Sequence, residues 1–139
     1  MRRLTGRDRL DGVTDNSLEN DLAAAEPKEW LAMPEVAERL GLVVTRVHQL
    51  LRDGNLIAVR RDGVLRVPAD LITVDSDGRS AVVKHLSGVL TLLRDAGYAD
   101  DEILQWLYTA DDSLPGTPAQ ALRENRGTEV KRRAQAAGF

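Results

Sequence analysis

The chain has 139 residues, enough for one ordinary domain with a helical extension and too few for two large cores. With no cysteine and two histidines, a disulfide framework, a thiolate metal site and an all-imidazole site are excluded. The net charge of −3 argues at first sight against a polyanionic partner, so the placement of the charges matters more than their sum.

Residues 34–68 hold six bases and four acids, whereas residues 95–120 hold six acids and no base, and residues 121–139 return to a net +3. Acid is therefore kept away from the central stretch. Apolar residues make up 42% but aromatic ones only 4%, so the core has to come from Leu, Val and Ala. No apolar run approaches the ~18 residues of a membrane span, and MRRLTGRDRLDG leads into no apolar segment of the signal-peptide kind. The expected location is the cytoplasm.

Residues 1–28 mix Arg, Asp, Asn and Gly with scattered leucines and no sustained period, which predicts a flexible N-terminal tail. Thr5 follows Arg2 and Arg3, and Thr14 lies among acids; both are candidate phosphorylation sites. A phosphate on either adds negative charge and weakens binding to a polyanion. Residues 29–75 are expected to form the principal domain, and residues 76–139 a helical region packed on it.

Trp30 and Leu31 begin the folded part and are expected to pack on the first helix, over residues 34–40. Pro34 suits a first helical position, Glu35 complements the helix dipole, and Val36, Ala37 and Leu40 form one apolar stripe. Gly41 ends the helix; neither Ala32 nor Met33 offers a capping side chain. The second helix is expected over residues 44–52. At 100° per residue Val47, Leu50 and Leu51 form its buried face and Val43 and Val44 border it. Thr45, Gln49 and Arg52 point away, with Arg46 and His48 on the flanks. These outward side chains carry donors and acceptors suited to base edges and phosphates.

Asp53-Gly54-Asn55 breaks the helix, and strands are expected over residues 56–59 and 64–67, joined by the two-residue hairpin signal Asp62-Gly63. Leu65 and Val67 share one face and Arg66 takes the other. A two-residue turn puts Arg61 on the side of Arg66 and Arg60 opposite Leu65. Either Arg60 or Arg61 is left to reach a phosphate. A helix-turn-helix followed by a basic wing is the layout that holds one helix rigidly in the major groove while arginines grip the flanking backbone.

Residues 69–80 read as a short turn of helix or strand and then a loop, in which Asp75-Ser76-Asp77-Gly78 is a plain turn rather than a calcium site, because the later ligands are absent. From Val82 on the chain reads as helical. One helix carries Leu86, Val89, Leu90 and Leu93 and closes at Gly97; a second, capped by Asp100, carries Ile103, Leu104, Trp106 and Leu107. Thr117-Pro118 caps a third through Leu122, Gly127-Thr128 interrupts or restarts it, and residues 130–137 make a last basic helix. Its Lys131, Arg132 and Arg133 are candidate phosphate contacts. The expected fold class is mainly α, a winged helix-turn-helix with a C-terminal helical extension.

No nucleophile elbow, phosphate-binding glycine loop or triad spacing occurs, and His48 and His85 have no metal-ligand spacing, so neither an enzyme nor a cofactor or metal is expected. His48 is a candidate groove contact and His85 a helix-start residue. No heptad run is long enough to make a coiled-coil dimer.

The stretch LAMPEVAERLGLVVTRVHQLLRDGNLIAVRRDGVLRVPADL resembles the helix-turn-helix of excisionase and MerR-type proteins. With GVLTLLRDAGYADDEILQWLYTADDSL and EVKRRAQAAGF, nearly the whole chain is similar to an actinobacterial family of winged-helix DNA-binding proteins with a C-terminal helical extension. That resemblance implies binding to double-stranded DNA, with the helix over residues 44–52 as reader; the expected role is that of a transcriptional regulator or nucleoid-associated factor. DNA-binding residues are then Thr45, Arg46, His48, Gln49, Arg52, Arg60, Arg61 and Arg66. Val43-Val44 stands where such proteins often carry a Ser or Thr cap. Separately, WLYTADDSLPGTPAQAL loosely resembles the partner-binding half of antitoxins, which implies the alternative of a DNA-binding protein whose C-terminal helices hold a second protein.

Overall fold

In the computed structural model, which describes residues 26–110, 114 and 116–138, the elements run in this order. They are β1 (Trp30–Ala32), α1 (Met33–Leu40), α2 (Val44–Arg52), β2 (Val59–Arg61), β3 (Val64–Pro68), a 3-10 turn (Ala69–Leu71), β4 (Ile72–Val74), β5 (Ser80–Val82), α3 (Leu86–Asp95), α4 (Asp100–Leu107), α5 (Pro118–Arg123) and α6 (Gly127–Ala136). Helix dominates, with two small antiparallel sheets, so the mainly α expectation stands in its coarse form. Thr5 and Thr14 lie outside the described residues.

Gly41 takes φ +69° and lets the Leu42 and Gly41 N–H groups reach back to the carbonyls of Ala37 and Glu38, which closes α1. At the start of α1 the missing cap is half replaced: the Glu35 carboxylate accepts the Ala32 N–H at 3.0 Å, while Ala32 has nothing to give in return. Helix α2 has the expected bounds, and it is held from below by Val47, its one fully buried side chain. Leu50 and Leu51 are half-buried at the margin of the core rather than inside it.

The wing is a three-stranded sheet in the order β1-β3-β2, so Trp30–Ala32 does more than pack on the first helix: it pairs with β3, Leu31 against Val67. Three residues are too few to show a period, which is why a strand there escapes sequence reading. The β2–β3 turn at Asp62-Gly63 has φ +55° and +79°, the paired positive values of the hairpin turn that matches strand twist. Strand β2 starts at Val59, later than expected. Leu56 and Ile57 are both fully buried, and consecutive buried side chains cannot alternate across a sheet; they form an apolar linker that plugs the core between reader and wing.

A second hairpin replaces the loop expected after residue 71. Ile72–Val74 pairs with Ser80–Val82, and the Asp75 carboxylate caps its turn by accepting the N–H groups of Asp77 and Arg79, each at 2.9 Å. Val82 is therefore a strand end, and helix begins at Leu86 after His85, which adopts φ +71°. The His85 ring lies directly over Gly127, where any Cβ would collide with it, and the last helix starts there instead of at Val130. Asp100 is the first residue of α4 and not its cap; Ala99 holds that position, and its N–H is accepted by Glu102 at 2.8 Å. Thr117 caps α5 as expected, its hydroxyl accepting the Gln120 N–H.

One continuous core joins both parts, from Leu31, Val36, Val47, Leu56 and Val67 to Leu90, Leu93, Ile103, Leu107, Leu122 and Val130, with no polar or charged residue buried among those described. The seam is polar. The Arg123 guanidinium donates to the carbonyls of Asp70 at 2.8 Å and Ile72 at 3.2 Å, and the Tyr108 hydroxyl donates to the Asp70 carboxylate at 2.9 Å. Burial first, then the charge of Asp70 and the hydrogen bond to it, push the Tyr108 phenol far above its ordinary value, with Arg123 opposing.

Truncating Leu56 to Ala, a fully buried residue, is expected to cost roughly 2–5 kcal/mol in a urea melt. Because the raised Tyr108 value favours the neutral phenol in the folded state, stability is complete below the ordinary tyrosine range and falls as pH rises past about 10. Tyr108→Phe should flatten that alkaline slope in melts run on both sides of pH ~10.

Candidate nucleic-acid interface

The outward face of α2 assembles four of the side chains expected there. Thr45, Arg46, Gln49 and Arg52 are exposed, and His48 is half-buried on the flank. Arg46 donates to the side-chain oxygen of Gln49 at 3.2 Å, which ties the two side chains together on this helix. No carboxylate occurs between Gly41 and Arg52, and Arg52 sits in the last turn, where the helix dipole favours a cation.

On the wing, the register sets Arg60 opposite Leu65, Arg61 opposite Val64 and Val59 opposite Arg66. Arg61 therefore shares a face with Arg66, as the two-residue turn requires. The two neighbours behave differently. Arg60 folds back on the turn and donates to the Gly63 carbonyl at 3.3 Å, whereas the Arg61 guanidinium stacks on the Trp30 ring, 4.6 Å from its centroid. Arg60 and Arg61 are exposed and Arg66 is half-buried. Behind them a cleft of about 390 Å³ separates Trp30 and the two arginines from Asp101, Gln105 and Tyr108.

Two features of this surface are absent from the sequence reading. Val43 does not border the buried face: it is 65% exposed, because it precedes the helix in an extended conformation and the 100° phasing does not reach it, while Val44, the first helical residue, is 38% exposed at the margin. In addition, the C-terminal helices come to the end of α2. Exposed Lys131 lies across Gly88, whose missing side chain leaves room for the lysine stem, a Cβ there meeting its Cε at 3.2 Å. It borders a shallow groove of about 490 Å³ with Asn55, Ser87, Thr91 and Gln135. Arg132 is also exposed on α6 and Arg133 is half-buried. No cluster able to hold a metal ion is found among the described residues, and no helix among them is long and apolar enough to cross a membrane.

Comparison with known proteins gives the same architecture in the same order. Residues 18–72 match the family described as DNA-binding protein Rv2175c, wHTH domain, and residues 83–138 match the Rv2175c C-terminal domain of unknown function. The DNA-binding protein Rv2175c of Mycobacterium tuberculosis is 43% identical, over 77% of this chain and 79% of that protein. The NMR structure of Rv2175c superposes with a TM-score of 0.71 at 37% identity, covering 96% of this chain and all of that one. A winged helix-turn-helix followed by that C-terminal domain, at this level of identity, means that the chain belongs to the Rv2175c family.

Proposed function

We propose that this protein binds double-stranded DNA as a nucleoid-associated cytoplasmic transcriptional regulator, and that it is not an enzyme. The observation that carries the reading is the face of α2, where Thr45, Arg46, Gln49 and Arg52 stand exposed with no carboxylate among them. The name of the relative, DNA-binding protein Rv2175c, supports it. Helix α2 enters the major groove as in the excisionase and MerR-type proteins that the sequence resembles. Gln49 and Arg46 meet base edges, Arg52 and His48 the groove wall, and Arg60, Arg61 and Arg66 the adjacent phosphates. Lys131 extends the footprint: the groove it shares with Asn55, Ser87, Thr91 and Gln135 offers one cation and neutral donors with no carboxylate, the chemistry of a backbone phosphate contact. Arg132 and Arg133 add positive charge on the same helix.

The antitoxin-like alternative gains nothing from the C-terminal segment, because Leu107, Leu114, Ala119, Ala121 and Leu122 are buried in this chain's own core.

Fluorescence anisotropy on duplexes selected from a random pool tests the assignment. Arg52→Ala should weaken binding and lower the slope of log affinity against log salt by about one if it meets a phosphate. Lys131→Gln should weaken binding to all sequences alike, again with a slope lower by about one, while leaving the preferred sequence unchanged. Wild-type affinity in both folded variants would remove these residues from the interface.

A further inference from the structure

The start of α2 departs from what folding alone asks of it. Leu42 has a structural reason to be apolar, since it follows Gly41 in the turn whose N–H groups close α1, where a hydrophobic contact commonly accompanies the bonds. Val43 and Val44 have none. Val43 occupies the capping position and gives α2 no side-chain cap, although a Ser, Thr, Asp or Asn there would satisfy a first-turn N–H. Thr117 does so at α5 in this same chain. The helix is locked by Val47 instead, while Val43 is 65% and Val44 38% exposed. Leu42 beside them is 36% exposed, and the remaining exposed large aliphatic residues among those described, Val64 and Val74, are isolated in sequence.

We propose that Val43 and Val44 read thymine, by packing on the C5-methyl groups that this base presents in the major groove. The inference rests on the DNA-binding reading above. The N-terminal residues of a reading helix are the ones that reach base edges, and Val44 is the first helical residue, beside exposed Thr45 and one turn before His48 and Gln49. Of the four bases only thymine offers a methyl group on the major-groove edge, and a short branched aliphatic side chain is its complement. The polar side chains further along the helix, Gln49 and Arg46, leave such a methyl without a partner, so the valines at its start supply the contact the rest of the helix lacks. A second copy of the chain is a poor occupant. Two valines expose on the order of 150 Å², far below the ~800 Å² per partner of a stable interface.

The test uses the full chain and a duplex selected from a random pool, with each thymine replaced in turn by deoxyuridine, which removes the methyl and keeps the pairing. One or two positions are expected to lose about fourfold in affinity, the value of one apolar carbon returned to water. In Val43→Ser and Val44→Ser, neither of which keeps a γ-methyl, the thymine and deoxyuridine duplexes should bind alike at the position that the lost valine reads. Val43→Ser restores a capping side chain, so its melting temperature should match or exceed that of the wild type, which separates lost reading from lost folding. Equal binding of every deoxyuridine duplex by the wild type overturns the proposal while leaving DNA binding intact. Failure to bind any DNA overturns both, and a dimer that Val43→Ser dissolves reassigns the valines to self-association.

Discussion

Arg123 and Tyr108 grip the few residues at which the wing ends and the C-terminal helices begin to matter. One guanidinium takes two backbone carbonyls, of Asp70 and Ile72, and one phenol takes the Asp70 carboxylate. These bonds satisfy polar groups at a seam whose two sides are otherwise Leu, Val and Ala, and the core runs through it without a break. That registration fixes where the C-terminal helices stand relative to the wing. Lys131 shares a groove with Asn55, Ser87 and Thr91 because α6 packs on α3.

The acidic segment has a local use that explains how an acidic protein keeps a basic face. Asp100, Asp101 and Glu102 fill the first turn of α4, where negative charge complements the dipole, and Glu102 accepts the N–H that an alanine cap leaves open. Arg94 holds Asp100 at 3.1 Å. The acids of this turn stabilise a helix start, and Asp101 lies across the cleft from Arg60 and Arg61.

How far the sequence could be read follows the range of the interactions. The bounds of α2, the closing of α1 at Gly41, the Asp62-Gly63 turn and the Thr117 cap depend on residues within a turn of one another, and all were legible. Strand β1 was not, because its partner lies beyond two helices and a hairpin, and three residues carry no period. Leu56 and Ile57 misled because two consecutive buried residues look like a strand whether or not they pair. At the candidate site, the outward face of α2 was legible from helical phasing. The exposure of Val43 was not, since phasing fails where the backbone is still extended. The approach of Lys131 to Asn55 was beyond reach for a different reason: it belongs to the packing of α6 on α3, signalled only by a glycine at position 88 that a helix does not otherwise favour.

The stack of Arg61 on Trp30 makes the wing optically visible. An indole with a guanidinium on its face sits in a polarised surrounding, and a phosphate that draws the arginine away changes that surrounding directly. The chain has one other tryptophan, Trp106, on α4 and half-buried against the core. Trp30 thus gives the molecule an intrinsic fluorophore beside the wing arginine proposed to meet phosphate, able to report its displacement without a label.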